Sequence, residues 1–283
     1  MTEPFAVTSM TAPLRRVAVR GLPTHADYQD AGWERLPDVT LSVEQHAAFV
    51  SALESAGAAV DVLLPAEGLA DACFTYDPVF VTGAGMVVLR QAKPCRSSEP
   101  PLLASELAGL GVPELGRLAD DARADGGDLF WLDEQTLAVG RSHRTNAAAH
   151  DQLTALLEPV GVRVVPFHLP WHHGPGEVFH LMSVISPVSP DLAVVYEPIA
   201  PTPLLDELTA RGISWIPVSD EDYLALGSNV LATAPGRVIL FAGAPGVERD
   251  LRAAGVEVTV LDCSEFAIGT GGPTCLTRPL LRD

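Results

Sequence analysis

The chain has 283 residues, of which 47% are apolar, so it can bury a large core as one domain or two close-packed ones. Its formal charge of −18 argues against nucleic-acid and anionic-membrane partners, which it would repel, and would favour a cationic small molecule. Cys73, Cys95, Cys263 and Cys275 lack CxxC spacing, and no basic leader or apolar run of about eighteen residues is present. A reduced cytoplasmic protein, neither secreted nor membrane-spanning, is expected.

From the N-terminus, residues 1–14 read as a flexible tail, and 15–283 as a single domain. "RRVAVR" reads as a strand. The loop after it, Gly21 to Asp30, is either an ordinary surface loop or a lid over a pocket. Then one pattern recurs, in "FVSALESAGAAVDVLLP", "LTALLEPVGVRVVPFHLP", "LLDELTARGISWIPVS" and "ERDLRAAGVEVTVLD". Apolar residues at helical spacing stop at a glycine, which ends the helix in a left-handed cap, and a β-branched run follows. Between these stretches lie paired β-runs joined by Gly, Pro, Asn or Asp turns: "DPVFVTGAGMVVLR", "DLFWLDEQTLAVG", "SVISPVSPDLAVVYEP" and "NVLATAPGRVILFAG". The combined unit is hairpin, helix, strand. No one unit can bury both faces alone, so several of them suggest a closed cyclic arrangement.

Four groups of residues could carry chemistry. Cys275 lies in "GGPTC", where Gly271 and Gly272 would let substrate and backbone approach a nucleophilic thiol; a buried free cysteine beside a glycine turn is the alternative. Of eight histidines, His180 in "EVFHLMSVI" stands between apolar residues at the start of a β-run, where a general acid–base ring or a core histidine would both fit. His172 and His173 read as an extended pair pointing opposite ways, without two further ligands for zinc. Asp71, Asp77, Asp125 and Asp128 precede apolar strands, either gripping a cation or serving turns. Arg96 and Arg144 follow strand-like runs and could clamp a carboxylate.

Taken in order, "CFTYDPVFVTGAGMVVLR", "DGGDLF", "VGRSHRTN", "FHL" and "GGPTC" resemble five segments of the guanidino-group modifying superfamily, and most closely the dimethylargininases, over roughly residues 15 to 280. The resemblance implies an α/β fold: a five-bladed α/β propeller (pentein fold) of pseudo-fivefold ββαβ repeats. It also implies Cys275 as nucleophile, His180 as general acid and base, and Asp125 supporting His180 and the guanidinium. Asp77 would bind guanidinium nitrogens, Asp71 the substrate α-amine, and Arg96 and Arg144 its α-carboxylate. Asp128 would be mostly structural within the substrate-binding set. The implied reaction converts Nω-methylated L-arginine to citrulline and a methylamine through a covalent thiouronium, with no metal or organic cofactor. The partner implied is a small-molecule guanidino substrate, and a homodimer is compatible with the sequence.

Two positions depart from relatives. Met182 stands where arginine deiminases carry an acid two residues after the histidine, which would add an apolar contact and favour a substituted guanidine. Thr270 stands near the place of an acid found in many dimethylargininases. Amidino transfer and arginine deimination therefore remain alternatives, as does a binding-only pentein.

Overall fold

The computed structural model describes residues 5–174, 176 and 178–283. In chain order it contains β1 (Leu14–Arg20), α1 (Val39–Ser55), β2 (Ala59–Leu63), β3 (Val79–Val81), β4 (Met86–Val88), α2 (Glu99–Gly109), β5 (Glu114–Arg117), β6 (Leu129–Asp133) and β7 (Thr136–Arg141). There follow α3 (Ala147–Leu157), β8 (Arg163–His168), β9 (Ile185–Ser189), β10 (Leu192–Val195), α4 (Thr202–Ala210), β11 (Ser214–Pro217), α5 (Asp220–Leu224) and β12 (Leu231–Ala234). The chain ends with β13 (Arg237–Phe241), α6 (Pro245–Ala253), β14 (Glu257–Leu261), α7 (Ser264–Ala267) and β15 (Arg278–Arg282).

The strands form five three-stranded sheets, ordered β15-β1-β2, β3-β4-β5, β6-β7-β8, β9-β10-β11 and β12-β13-β14. In each, the middle strand runs antiparallel to one neighbour and parallel to the other. A helix makes each parallel crossover, as the geometry of parallel strands requires. This is the pentein ring of ββαβ units. The glycines expected to end helices do so: Gly161 after α3 has φ 83° and Gly255 after α6 has φ 82°, a region that a Cβ makes costly. One unit was not visible as such in the sequence. In it α2 begins with Glu99-Pro100-Pro101, and its strand β5, "ELGR", has no β-branched residue.

The first strands of the five sheets, β3, β6, β9, β12 and β15, face one another, and Phe80, Trp131, Pro187, Leu231 and Arg278 line a small space between them. The last strands lie at the rim, where β2 and β5 are largely half-buried or exposed. Arg278 closes the axis: it is 1% exposed, its Nη1 donates to the carbonyls of Tyr76 (3.1 Å) and Val79 (2.7 Å), and its guanidinium lies 4.2 Å from the Tyr76 ring centroid. Stacking on an aromatic face offsets part of the cost of burying this charge.

Residues 5–14 differ from the flexible tail expected. Val7 is buried, the Ala6 amide donates to the Leu280 carbonyl, and the Arg282 amide donates to the Ala6 carbonyl, so this stretch is fastened to β15. The physical reason is an edge: without it β15 would leave amides and carbonyls unpaired. Residues 1–4 of that expected tail lie outside the described residues. Among the described residues no helix is long and apolar enough to cross a membrane.

Candidate active site

The ring brings the segment before each first strand to one end of the axis. Asp77 precedes β3, Asp125 precedes β6, His180 precedes β9, Asn229 precedes β12 and Cys275 precedes β15. A narrow cleft of about 30 Å³ there is lined by residues that include Asp71, Phe74, Asp77, Lys93, Arg96 and Arg144. Val178, His180, Ser183, Gly269, Thr270, Gly271 and Cys275 complete its walls.

His180 is held between two acids with different tasks. Its Nε2 lies 3.2 Å from Asp125 Oδ2, and Asp125 is fully buried. Behind it, Asp128 Oδ1 accepts from the Leu181 amide (2.8 Å) and Oδ2 from the Ser142 hydroxyl (2.7 Å). Asp128 is therefore away from the cleft; it ties the histidine segment to the Arg144 loop, as a structural acid would. The "GGD" glycines make this possible, since a Cβ on Gly127 would fall 2.4 Å from His180 Nδ1 and one on Gly126 would fall 2.1 Å from the Tyr76 carbonyl oxygen.

The Asp125 carboxyl and the His180 imidazole shift apart. Burial pushes the Asp125 carboxyl up, but the hydrogen bond and charge of His180, with Arg96 and Arg144, hold it below its ordinary value. Burial lowers His180, but the Asp125 hydrogen bond and the charges of Asp77, Asp128 and Asp125 raise it above its ordinary value. The Cys275 thiol is pushed up to about 11, first by burial and then by the charge of Asp77; the Gly272 backbone, Asn229 and Arg96 act in the other direction.

Asn229 was not singled out in the sequence. Its Nδ2 donates to Cys275 Sγ at 3.1 Å and its Oδ1 accepts from the Thr274 amide at 3.0 Å. The signal was positional: it holds, before β12, the place that Asp125, His180 and Cys275 hold before their strands. It also changes the reason for the paired glycines. A Cβ on Gly271 would fall 2.1 Å from the Phe74 ring and one on Gly272 would fall 2.4 Å from Asn229, so the glycines make room for protein side chains.

Arg96 and Asp71 sit differently from the implied substrate clamps. Arg96 Nε and Nη2 meet the buried carboxylate of Glu99 (2.8–3.1 Å), and Nη1 donates to Asp77 Oδ2 (2.8 Å). Burial alone would lower this guanidinium, but the charges of Glu99, Asp77 and Asp71 raise it, so it stays charged. It orients Asp77, whose Oδ1 accepts from the Gly127 amide at 2.9 Å. Asp71 accepts from Trp33 Nε1 (2.7 Å) and Lys93 Nζ (2.7 Å). Arg144 lines the cleft with its Nη1 3.5 Å from Asp125 Oδ2.

Three smaller expectations also change. Met182 is buried with Phe130, Phe179 and Val184 in the core, so its contribution is the absence of an acid and not an apolar contact in the cleft. His173 has φ 50°, which breaks the extended chain assumed for the histidine pair and leaves the two rings 4.2 Å apart. The loop after β1 reaches the site three residues beyond the stretch considered as a lid: Trp33 stacks on Phe74 at 5.8 Å and packs edge-on to Tyr28 at 4.9 Å.

A half-buried thiol, an imidazole paired with a carboxylate and a second carboxylate in one cleft can hold a planar cation against sulfur and move a proton to a departing amine. Residues 34–282 match the model of the family described as N,N dimethylarginine dimethylhydrolase, eukaryotic. The chain is 29% identical over 272 residues to the N(G),N(G)-dimethylarginine dimethylaminohydrolase of Streptomyces coelicolor, covering 95% of this chain and 96% of that protein. It is 28% identical over 252 residues to an arginine deiminase of Listeria monocytogenes, covering 74% of this chain and 61% of that one. The fold superposes on the dimethylarginine dimethylaminohydrolase of Pseudomonas aeruginosa, a mutant complexed with citrulline, with a TM-score of 0.78 at 22% identity, over 96% of this chain and 100% of that one. With the family model spanning nearly the whole ring, the chain belongs to the dimethylarginine dimethylhydrolase family of the pentein superfamily.

Proposed function

We propose that the protein is a cysteine-dependent hydrolase of Nω-substituted guanidines, with Nω-methylated arginine the compound its relatives' names put forward. The observation that carries this is the convergence of Cys275, the His180–Asp125 pair and Asp77 on one cleft.

The chemistry follows from these positions. Asp77 is held by Arg96 and the Gly127 amide, each using one acceptor site, so it can still accept from the N–H groups of a guanidinium. The cation beside Asp77 counters the charge that helps push the thiol up, and so favours the thiolate. The thiolate then adds to the guanidinium carbon, forming a C–S bond. His180, protonated because Asp125 lies beside it, gives its proton to the departing nitrogen, and an amine leaves as the C–N bond breaks. The product on sulfur is a thiouronium. Neutral His180 next takes a proton from water, the hydroxide adds to the same carbon, and the C–S bond breaks as the added hydroxyl loses its proton to solvent, returning the thiolate and a urea. Asn229 Nδ2 faces the sulfur when it carries negative charge.

The test is product identification from arginine, monomethylarginine and asymmetric dimethylarginine given in parallel. A ureido product with methylamine or dimethylamine supports the reading; ammonia released from arginine alone would make the enzyme a deiminase. Replacing Cys275→Ser is expected to remove turnover by at least about a thousandfold, and a variant as active as the parent would end the proposal.

A further inference from the structure

Lys93 is among the charged groups of the cleft that have no part in the reaction just derived. Lys93 stands at the start of a short turn, Pro94–Arg96, and its Nζ donates to Asp71 Oδ2 at 2.7 Å and to the main-chain carbonyl of Ala31. Trp33 Nε1 takes the other carboxylate oxygen at 2.7 Å. Asp71 is only 5% exposed, so this acid is satisfied inside the protein, by an ammonium and an indole.

Arg96 places Asp71 within the cleft. Its Nη1 touches Asp77, which is bonded to Gly127 beneath His180, and its Nε lies 3.8 Å from Asp71 Oδ2. The order is therefore His180, Asp77, Arg96, Asp71, Lys93. The reacting groups lie at one end of this series, and the Asp71–Lys93 pair lies at the other. A substrate ammonium arriving at Asp71 would come within contact distance of the Lys93 ammonium, and like charges there repel. An anion would not meet this obstacle. Of the cations lining the cleft, Lys93 is also the most open, with 21% of its side chain exposed against 5% for Arg96 and 6% for Arg144. An ammonium has three N–H donors, and Asp71 and Ala31 use two.

We propose that Lys93 sets the substrate class: its ammonium already occupies Asp71, so the enzyme takes ω-guanidino carboxylates that have no α-ammonium, and Lys93 offers its remaining N–H to their carboxylate. This rests on the hydrolase reading for the reacting end; at the other end it replaces methylated arginine, the compound the relatives' names put forward, with its counterpart that lacks the α-amine.

The experiment uses matched ligands, 5-guanidinopentanoate against arginine and the Nω-methylated form of each. Binding is measured by calorimetry on the Cys275→Ser protein, and turnover on the unaltered protein. The acids without an α-amine are expected to bind and turn over about tenfold better or more. In Lys93→Met, where Asp71 is open to an incoming ammonium, that ratio should collapse or reverse, while Lys93→Arg should keep most of it. Equal or tighter binding of the α-amino ligands to the Cys275→Ser protein overturns the proposal, and so does a ratio that Lys93→Met leaves unchanged. Preferential binding of the deamino ligand with no turnover of any guanidine keeps the substrate class and brings down the hydrolase reading. Binding of neither ligand overturns both.

Discussion

At the scale of single residues, the site depends on where side chains meet more than on which are present. Cys275, His180, Asp125 and Asp77 were legible because each stands in a short motif before an apolar strand. Asn229 and Lys93 were not: Asn229 only opens a run read as paired strands, Lys93 stands in no motif, and only the fold puts one against sulfur and the other against Asp71. The thiol itself yields a pH prediction. With its pKa pushed up to about 11 by burial and by Asp77, alkylation by iodoacetamide in the ligand-free protein should rise about tenfold per pH unit from 7 to 10, without a plateau in that range. A plateau near neutral pH would mean that the thiolate is already formed. Gly127 offers a second test. In Gly127→Ala the Cβ would displace the His180 ring, and kcat should fall about a hundredfold, since an ångström of misplacement costs that much. Steady-state kinetics alongside thermal melting would separate this from unfolding.

At the scale of elements, helix ends were readable and loops were not. Glycine caps such as Gly161 and Gly255 have a local cause, a left-handed residue that ends a helix wherever it occurs. The loop between β1 and α1 has no such rule. Its structure comes from Trp33, wedged against Phe74 and bonded to Asp71, and from the Tyr28 hydroxyl on the Pro23 carbonyl. Gly269 is part of the same fit, because a Cβ there would fall 2.7 Å from the Trp33 ring. Replacing Trp33→Phe keeps a ring in this slot but removes the donor to Asp71. Amide exchange across Tyr28–Trp33 should quicken by about tenfold, the equivalent of one lost hydrogen bond, with little change in the global melting temperature. Unchanged exchange would show that packing alone holds the loop.

At the scale of the whole molecule, the ring is closed by its last strand. β15 pairs antiparallel with β1, supplies the first strand of the β1–β2 sheet and carries Arg278 to the axis. Deleting residues 278–283 would expose the edges of β1 and of residues 5–7 and remove the cation stacked on Tyr76. Loss of a cooperative melting transition is expected, together with loss of activity, because Cys275 is positioned by the turn into this strand. Circular dichroism melting of the shortened chain would check it, and a sharp, unshifted transition would contradict this account of closure.

The repeating unit and the chemical inventory were determined by the sequence alone, because alternation, helical spacing and glycine caps act over a few neighbouring residues. The resemblance of five short motifs supplied the order of the site residues. Tertiary structure decided what no local pattern encodes. The Cys275–Asn229 contact spans 46 residues, His180–Asp125 spans 55, and Arg278–Tyr76 spans 202. Ring closure sets these separations, and so it also decides that Asp71 is already matched by Lys93, that Arg96 orients an acid, and that the paired glycines before Cys275 admit Phe74 and Asn229.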